Sequence, residues 1–424
     1  MARTPAGLPA GTRLTDYLGL GVLTAQFPLD DVQEALLSTG RVSEREGDLP
    51  AHVMVYYAIA LALYADVSTR EVLRCLLEGV RWLGDPDARD EPASWSGISQ
   101  ARTRLGAAPL EALYRSRVAP IATSATPGAW YREWRVMSLD GTTLDVGDTA
   151  ANRATFGGPA SARGANATGA FPRLRVVGLL ETGTHVLWAA HLGAYATGEV
   201  TLAATGAPAL GPDMLCLADR GFLGVDLRRQ AAATGAQLVL RAKFSLRLPV
   251  RERFPDGSYR SELPWNRHCR SPDRTPIPVR VIEYMLDDTL DGAPDGETIY
   301  RLVTTILDPA RAPAPKLAAL YHERWEIETA FDEFKTHLRG AQRVLRSKTP
   351  ELVHQEAWGF LLAHFAIRAL MHEAALGALP RARDPDRRSF THAVRVIRRT
   401  LPPVTALSPS GPGPGASHDL PGAA

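Results

Sequence analysis

Cysteine is scarce, with three in 424 residues. Cys75, Cys216 and Cys269 stand far apart and form no CxxC pair, which argues against a disulfide-stapled secreted scaffold and against a cysteine zinc cluster. Long hydrophobic runs are also missing. The strongest, VMVYYAIALALYA from Val53 to Ala65, has 13 residues, too few to cross a bilayer, and reads as a buried helix. The opening MARTPAGLPAGTR lacks the apolar stretch of a signal peptide, so a cytoplasmic protein without membrane association is expected. Nor does one sign of charge dominate. Lys plus Arg number 48 against 46 Asp plus Glu, which excludes a histone-like tail and a wholly acidic disordered chain. What remains is ordinary globular composition, 45% hydrophobic and 22% charged, in a chain long enough for two to four domains at roughly 100–200 residues each.

The charge balance hides a gradient. Residues 1–100 hold 14 acidic and 8 basic side chains, whereas residues 241–280 hold 10 basic and 4 acidic. From Thr336 to Pro350 there are four basic residues and no acid, and 381–400 carries seven Arg against two Asp. Positive charge gathered late in the chain suits a surface that tracks a phosphate backbone; ordinary solvated faces are the plainer explanation for any single run.

The first 125 residues read as helical. Ser68-Thr69-Arg70-Glu71 is a capping sequence for a helix continuing through Leu77, and Ser96 to Gly106 reads as a short basic helix after the loop GDPDARDEP. These helices suit either a helix-turn-helix or a packing domain without DNA contact. From Trp130 the periodicity changes. Trp134–Leu139 is a strand expected to end on Asp140, Leu174–Leu180 and Thr184–Ala190 form a hairpin around Glu181-Thr182-Gly183, and Gly157–Gly169 is a Gly/Ala-rich loop. Gly198–Ala204 is a weak helical signal. Met214–Ala218 is a strand ending on Asp219, followed by a helix over Phe222–Ala233 and a strand over Gln237–Ala242. Residues 243–312 interrupt this rhythm with proline-rich turns and strand candidates Pro278–Tyr284 and Thr298–Ile306, as expected of a β-rich insertion. Helices follow over Pro315–Leu338 and Glu351–Ala375, and the proline-rich end beyond Leu401 reads as a disordered tail. The expected plan is a helical domain over 1–125, a mixed α/β domain over 130–350 containing the 243–312 insertion, a helical region over 351–403 and a tail over 404–424.

Three acids stand out by position. Asp140 and Asp219 each follow a predicted strand, and Glu328 lies mid-way along the predicted helix Pro315–Leu338. At about 100° per residue, Tyr321, Arg324 and Lys335 fall within about 40° of Glu328, with Asp332 and Trp325 beside them. Leu320, Ile327, Phe331, Phe334 and Leu338 gather on an adjoining face. A carboxylate flanked by an Arg, a Lys and a Tyr suits a phosphodiester site, and equally suits a solvated stripe of i,i+4 pairs.

The spacing Tyr321-x2-Arg324-x3-Glu328-x6-Lys335 resembles the Y-R-E-K signature of the IS4 family of bacterial DDE transposases. SLDGTTL around Asp140 and CLADRGF around Asp219 resemble that family's first two catalytic blocks, and AFPRLRVVGLLETGTH between them is similar as well. The resemblance covers roughly 130–350, over half the chain. It implies an α/β fold: an RNase H-like mixed sheet with flanking helices, a β-rich insertion before the Glu-bearing helix, and a helical N-terminal domain. It implies Asp140, Asp219 and Glu328 as catalytic, metal-holding residues for two Mg²⁺ ions, with Mn²⁺ able to substitute. Tyr321, Arg324 and Lys335 would position DNA phosphates near a hairpin or transferred end, with Trp325 on the site helix and Trp265 in the insertion as candidates for holding a flipped base.

The activity so implied is cut-and-paste transposition: metal-dependent cleavage of double-stranded DNA at terminal inverted repeats, then 3′-OH attack on target DNA through a hairpin intermediate. A homodimer would form in the synaptic complex. The alternatives are a purely hydrolytic metal-dependent nuclease and a domesticated, inactive DNA-binding protein. Asp145, Asp148, Asp213, Asp226 and Asp332 compete weakly with the chosen acids. His191 and His322 read as structural, and His268-Cys269 finds no second pair to complete a zinc site. Arg387-Arg388 and Arg398-Arg399 suit either terminal-repeat binding or a solvated helix.

Overall fold

The computed structural model describes residues 19–44, 49–64, 67–82, 93–159, 170–263, 275–285, 299–338, 340, 344–377 and 389–397. Trp265, His268-Cys269, most of the Gly157–Gly169 loop, the Arg387-Arg388 and Arg398-Arg399 pairs and the proline-rich tail lie outside the described residues. The chain divides into two units, one formed by residues up to Arg117 with Gln355–Ile367 and the stretch from Thr391, the other by Val118–His354 and Arg368–Phe390.

The first unit is helical, with α1 (Gly19–Gln26), α2 (Leu29–Ser38), α3 (Ala51–Leu63), α4 (Thr69–Trp82), α5 (Trp95–Leu105) and α6 (Ala108–Arg117). The apolar run expected to be a buried helix is α3, whose residues Val53–Leu63 are all buried. Ser68 caps α4 by accepting from the Glu71 amide at 3.2 Å, and Ser94 caps α5 through the Gly97 amide. Gly106 ends α5 at φ +69°, a left-handed turn that glycine adopts without a Cβ penalty. Gln355 locks the same corner. Its amide donates to the carbonyls of Arg102 and Gly106 at 2.9 and 2.8 Å while its oxygen accepts from Arg102 Nε. Gly359 lies so close to α3 that a Cβ would stand 2.5 Å from the Ala58 carbonyl oxygen.

The second unit is built on one ten-stranded mixed sheet. Its elements are β1 (Trp130–Tyr131), β2 (Trp134–Asp145), α7 (Ala150–Phe156), β3 (Arg173–Glu181), β4 (Val186–Ala194), α8 (Glu199–Gly206), β5 (Met214–Ala218), α9 (Val225–Ala233) and β6 (Gln237–Arg241). They are followed by β7 (Glu252–Arg253), β8 (Tyr259–Leu263), β9 (Ile277–Met285), β10 (Ile299–Thr304), α10 (Ala314–His322) and α11 (Glu326–Asp332). α12 (Pro350–Leu376) and α13 (Phe390–Ile397) are the last helices among the described residues, and each is divided between the two units. The strand order is β4-β3-β2-β5-β6-β10-β9-β8-β7, with β1 paired to β2. β2, β5 and β6 are parallel, and the other pairings between these strands are antiparallel. This is the RNase H-like mixed sheet with flanking helices that the resemblance implies, preceded by a helical region and carrying a β-rich insertion.

The two faces follow from strand alternation. Met137, Leu139, Cys216, Ala218, Leu238 and Leu240 point to the side covered by α8 and α9. Trp134, Val136, Leu215, Leu217 and Val239 point to the opposite side, where Leu317, Leu320 and Tyr321 of α10 pack. The insertion is an extension of the same sheet, because β10 pairs antiparallel with β6 and β9, β8 and β7 continue outward from it. The β3–β4 connection includes Gly183, where a Cβ would strike the Ala129 amide nitrogen at 2.5 Å, so only glycine fits. Glu181 beside it is fully buried and accepts from the amides of Ile121 and Ala122 at 2.9 Å each, from Thr184 and from Arg135.

Two expectations need correction. The first strand does not stop at Asp140 but runs on to Asp145, paired with β3 beyond the point where β5 ends. The long helix Pro315–Leu338 is not uniform: α10 passes through a 3-10 turn at Glu323–Trp325 into α11, which opens into a π-helical turn over Glu333–Leu338. The 3-10 turn is where Arg324 is drawn inward, and the π turn is where Glu333 meets buried partners described below.

Candidate active site

The register of the parallel ladder brings the two aspartates together. Leu139 pairs with Ala218, so Asp140 and Asp219 are the next residues of adjoining strands, about one strand spacing of ~5 Å apart at the backbone. Alternation turns both toward the face on which α10 packs, and α11 packs against β2 beside them. The helix that carries Glu328 therefore packs on β2, the strand that carries Asp140, beside the end of β5 that Asp219 follows.

Arg324 links the three acids. Its Nη2 donates to Glu328 Oε1 at 3.2 Å, its Nη1 stands 3.7 Å from Asp140 Oδ2, and the nearby Asp219 charge is among those that hold its guanidinium protonated against the effect of burial. Only 7% of Arg324 is exposed, so the guanidinium meets Asp140 largely away from water, while Glu328 reaches it from a side chain that is 47% exposed. Its ring neighbours are Trp325, 5.2 Å away and 46% exposed, and Tyr321, 6.0 Å away. Trp325 is thus an exposed aromatic beside the acids.

Burial dominates the electrostatics of Asp140, pushing its carboxyl up to about 6. The Gly141 amide, donating to Asp140 Oδ1 at 2.7 Å, and the Arg324 guanidinium oppose this, while Glu199 and Glu328 add to it. Asp219 Oδ1 is buried and has no hydrogen-bond partner. Among the described residues, no group of three or more His, Cys, Asp or Glu is gathered closely enough to hold a metal by itself. The donor set is nevertheless of the kind a hard divalent ion uses: carboxylate oxygens, one of them buried and unpaired, around a single guanidinium that cannot balance three acids. The residues fit such an ion.

The other expected residues fall differently. Tyr321 is buried, not displayed: its hydroxyl donates to the Ala218 carbonyl at 3.2 Å, one residue before Asp219. Lys335 is half-buried within the π turn. Asp145 is engaged by Arg173 at 2.9 Å and Asp148 by Arg153, while Asp332 accepts from Thr336. Glu199 was not anticipated, although the glycine after Asp140 is a signal for it. A Cβ at Gly141 would come within 3.1 Å of the Glu199 side chain and of Val177.

Comparison with known proteins identifies the family. Residues 133–366 match the family model described as the transposase DDE domain, and residues 18–115 match that of the insertion element 4 transposase N-terminal region. The chain belongs to the IS4 family of DDE transposases. It is 26% identical over 384 residues to the transposase InsG of insertion sequence element IS4 from Escherichia coli K12, covering 89% of this chain and 82% of that one. It is 24% identical over 201 residues to the putative transposase InsZ of the same organism, covering 47% of this chain and 64% of that one. Among solved structures, a piggyBac transposase synaptic complex with hairpin DNA aligns at a TM-score of 0.45 and 11% identity, covering 92% of this chain and 82% of that one. Transposases of this family act on DNA and in general depend on divalent metal ions. Among the described residues, no helix of this transposase is long and apolar enough to cross a membrane.

Proposed function

We propose that this transposase cuts double-stranded DNA at the terminal inverted repeats of its own element and joins the freed 3′ ends to target DNA, with Asp140, Asp219 and Glu328 as the catalytic acids. The observation that carries this reading is the parallel register of β2 and β5, which sets Asp140 beside Asp219 on the face where α11 lies. Asp140, Asp219 and Glu328 would hold two Mg²⁺ ions, or Mn²⁺ in their place. When bound, such ions supply Lewis-acid stabilisation of the scissile phosphate and of the leaving 3′-oxygen, and lower the pKa of the attacking hydroxyl.

The chain's own residues do the rest. Asp219 offers a buried oxygen that has no other partner, and Asp140 accepts from the Gly141 amide through Oδ1. Arg324, already inside the acid cluster, neutralises phosphate charge once DNA enters, and Lys335 adds a second cation from the π turn. Tyr321 acts from beneath, tying α10 to the end of β5 through the Ala218 carbonyl. The first cut is a nick that frees a 3′-OH. That hydroxyl attacks the opposite strand's phosphodiester, expelling the flanking DNA through its 3′-oxygen and leaving a hairpin on the element's end; water then hydrolyses the hairpin to regenerate the 3′-OH, which attacks target DNA. Trp325 is exposed beside Arg324 and suited to stack on a base displaced from the strained hairpin, a role shared by Trp265 if the insertion reaches the same end. Both ends would be held in a synaptic homodimer.

Incubation with labelled inverted-repeat DNA and Mg²⁺ separates nicked, hairpin and joined products. Wild type is expected to yield all three, and Asp219→Asn to bind the same DNA while producing none. Nicks without hairpins or joints would reduce the activity to hydrolysis, and wild-type cleavage by Asp219→Asn would remove Asp219 from the mechanism.

A further inference from the structure

The back of α11 is held by a buried polar network. Taking Glu328 as the front of the helix, Glu326 and Glu333 lie about 140–160° around the axis at about 100° per residue, nearly opposite it. Glu333 is buried and accepts from Arg368 of α12, through Nε at 3.0 Å and through Nη2. The Nη2 of Arg368 also donates to His185 Nδ1. A guanidinium only donates, so His185 Nδ1 accepts and its proton sits on Nε2, which meets Glu326 Oε2 at 2.9 Å. His185 and Arg368 are each 1% exposed. His185 sits in the β3–β4 turn at φ +58°, a left-handed backbone that a non-glycine residue keeps only when its surroundings hold it there. Phe390 covers the outer side of Arg368, its ring 5.4 Å from the guanidinium.

Three separate elements, the β3–β4 turn, α11 with its π turn, and α12, thus meet behind Glu328. A buried ion pair is a poor device for stability, since apolar residues of the same size serve as well. It is a good device for fixing an angle, because each hydrogen bond has a direction. The π turn starts at Glu333, the residue Arg368 grips, so the widening of the helix and the ion pair occur at one place.

We infer that His185, Glu326, Glu333 and Arg368 are positioning residues that set the rotation of α11 and hence the direction in which Glu328 faces Asp140 and Asp219. This rests on the assignment of Glu328 to the metal site proposed above. The pair is removed without leaving a lone buried charge in the double variant Glu333→Gln, Arg368→Met. Four quantities are read on the full chain: Mn²⁺ affinity by calorimetry, end-DNA affinity, cleavage rate at saturating DNA, and melting temperature without metal. As expected when groups behind metal ligands are lost, the double variant weakens Mn²⁺ binding and saturated cleavage by about 10- to 100-fold while end-DNA affinity stays within about threefold. His185→Gln, whose amide accepts from Arg368 and donates to Glu326, keeps Mn²⁺ affinity near wild type, whereas His185→Leu loses it.

Wild-type Mn²⁺ affinity and cleavage in the double variant would overturn the inference, as would losses in both that merely track the fraction of unfolded protein. Should the double variant fail to fold, the contrast between His185→Gln and His185→Leu decides, and equal Mn²⁺ affinity in those two overturns the inference. Glu328→Gln separates the two levels: if it binds Mn²⁺ and cleaves like wild type, the metal-site reading itself fails, whatever the Arg368 variants do.

Discussion

At the scale of single residues, Asp140 bears the electrostatic cost of the site. Its carboxyl titrates near 6 in the fold against 3.8 for an unperturbed aspartate, chiefly through burial. Between those values the native state binds more protons than the unfolded chain, so stability falls as pH rises through this window and the full penalty applies above it. The shift corresponds to about 3 kcal/mol at most. Asp140→Asn should therefore melt higher than wild type at pH 7.5 in EDTA, by a margin that closes as pH approaches 4, while losing cleavage. Melting curves across that range check the sign, and a lower melting temperature for the variant at pH 7.5 would refute it. The helical wheel could group Tyr321 with Arg324 and Glu328 but could not show where each goes. A tyrosine whose hydroxyl finds a carbonyl is as content inside as an apolar residue, and a buried arginine is legible only once the acids it serves are seen across the fold.

At the scale of elements, strands were the most legible part. β5 and the acid after it were readable from MLCLAD because an apolar run bounded by a loop and an acid has few other uses, and the start of β6 was equally plain. Extents were less so: β2 outruns its parallel neighbour because β3 alone supports its far half, a tertiary effect with no local signal. The insertion's strands were found in part, but their union with the main sheet depends on β10 meeting β6 across a long stretch of chain. The continuous periodicity of 315–338 concealed the 3-10 and π turns, since an inward Arg324 and a gripped Glu333 leave the hydrophobic spacing unchanged. In α12 the legible fact was a helix, and the illegible one was that Gly359 permits backbone contact with α3. Gly359→Ala is expected to cost about 1–3 kcal/mol by overpacking, measured by denaturant unfolding, because the opposing atom is backbone and cannot turn aside. An unchanged midpoint would show that α3 and α12 separate freely.

At the scale of the whole molecule, the charge gradient means less than its counts suggest. Several arginines of the 241–280 run and its neighbours are already engaged: Arg251 with Glu262, Arg260 with Glu252, Arg301 with Glu283. The cation that stands among the proposed catalytic acids is Arg324, beside Asp140 and Glu328. The topology has a simple logic: the parallel pairing of β2 with β5 stops at Leu139 and Ala218, an acid follows on each side, Asp140 within β2 and Asp219 just past β5, and the later helix α11 that packs on β2 bears the third. The metal preference of Asp219→Cys tests most directly whether these acids hold the ions. A thiolate is a poor ligand for Mg²⁺ and a better one for Mn²⁺. The variant should leave inverted-repeat DNA uncut in Mg²⁺ and regain cleavage in Mn²⁺. Cleavage at the wild-type rate in Mg²⁺ would contradict the account.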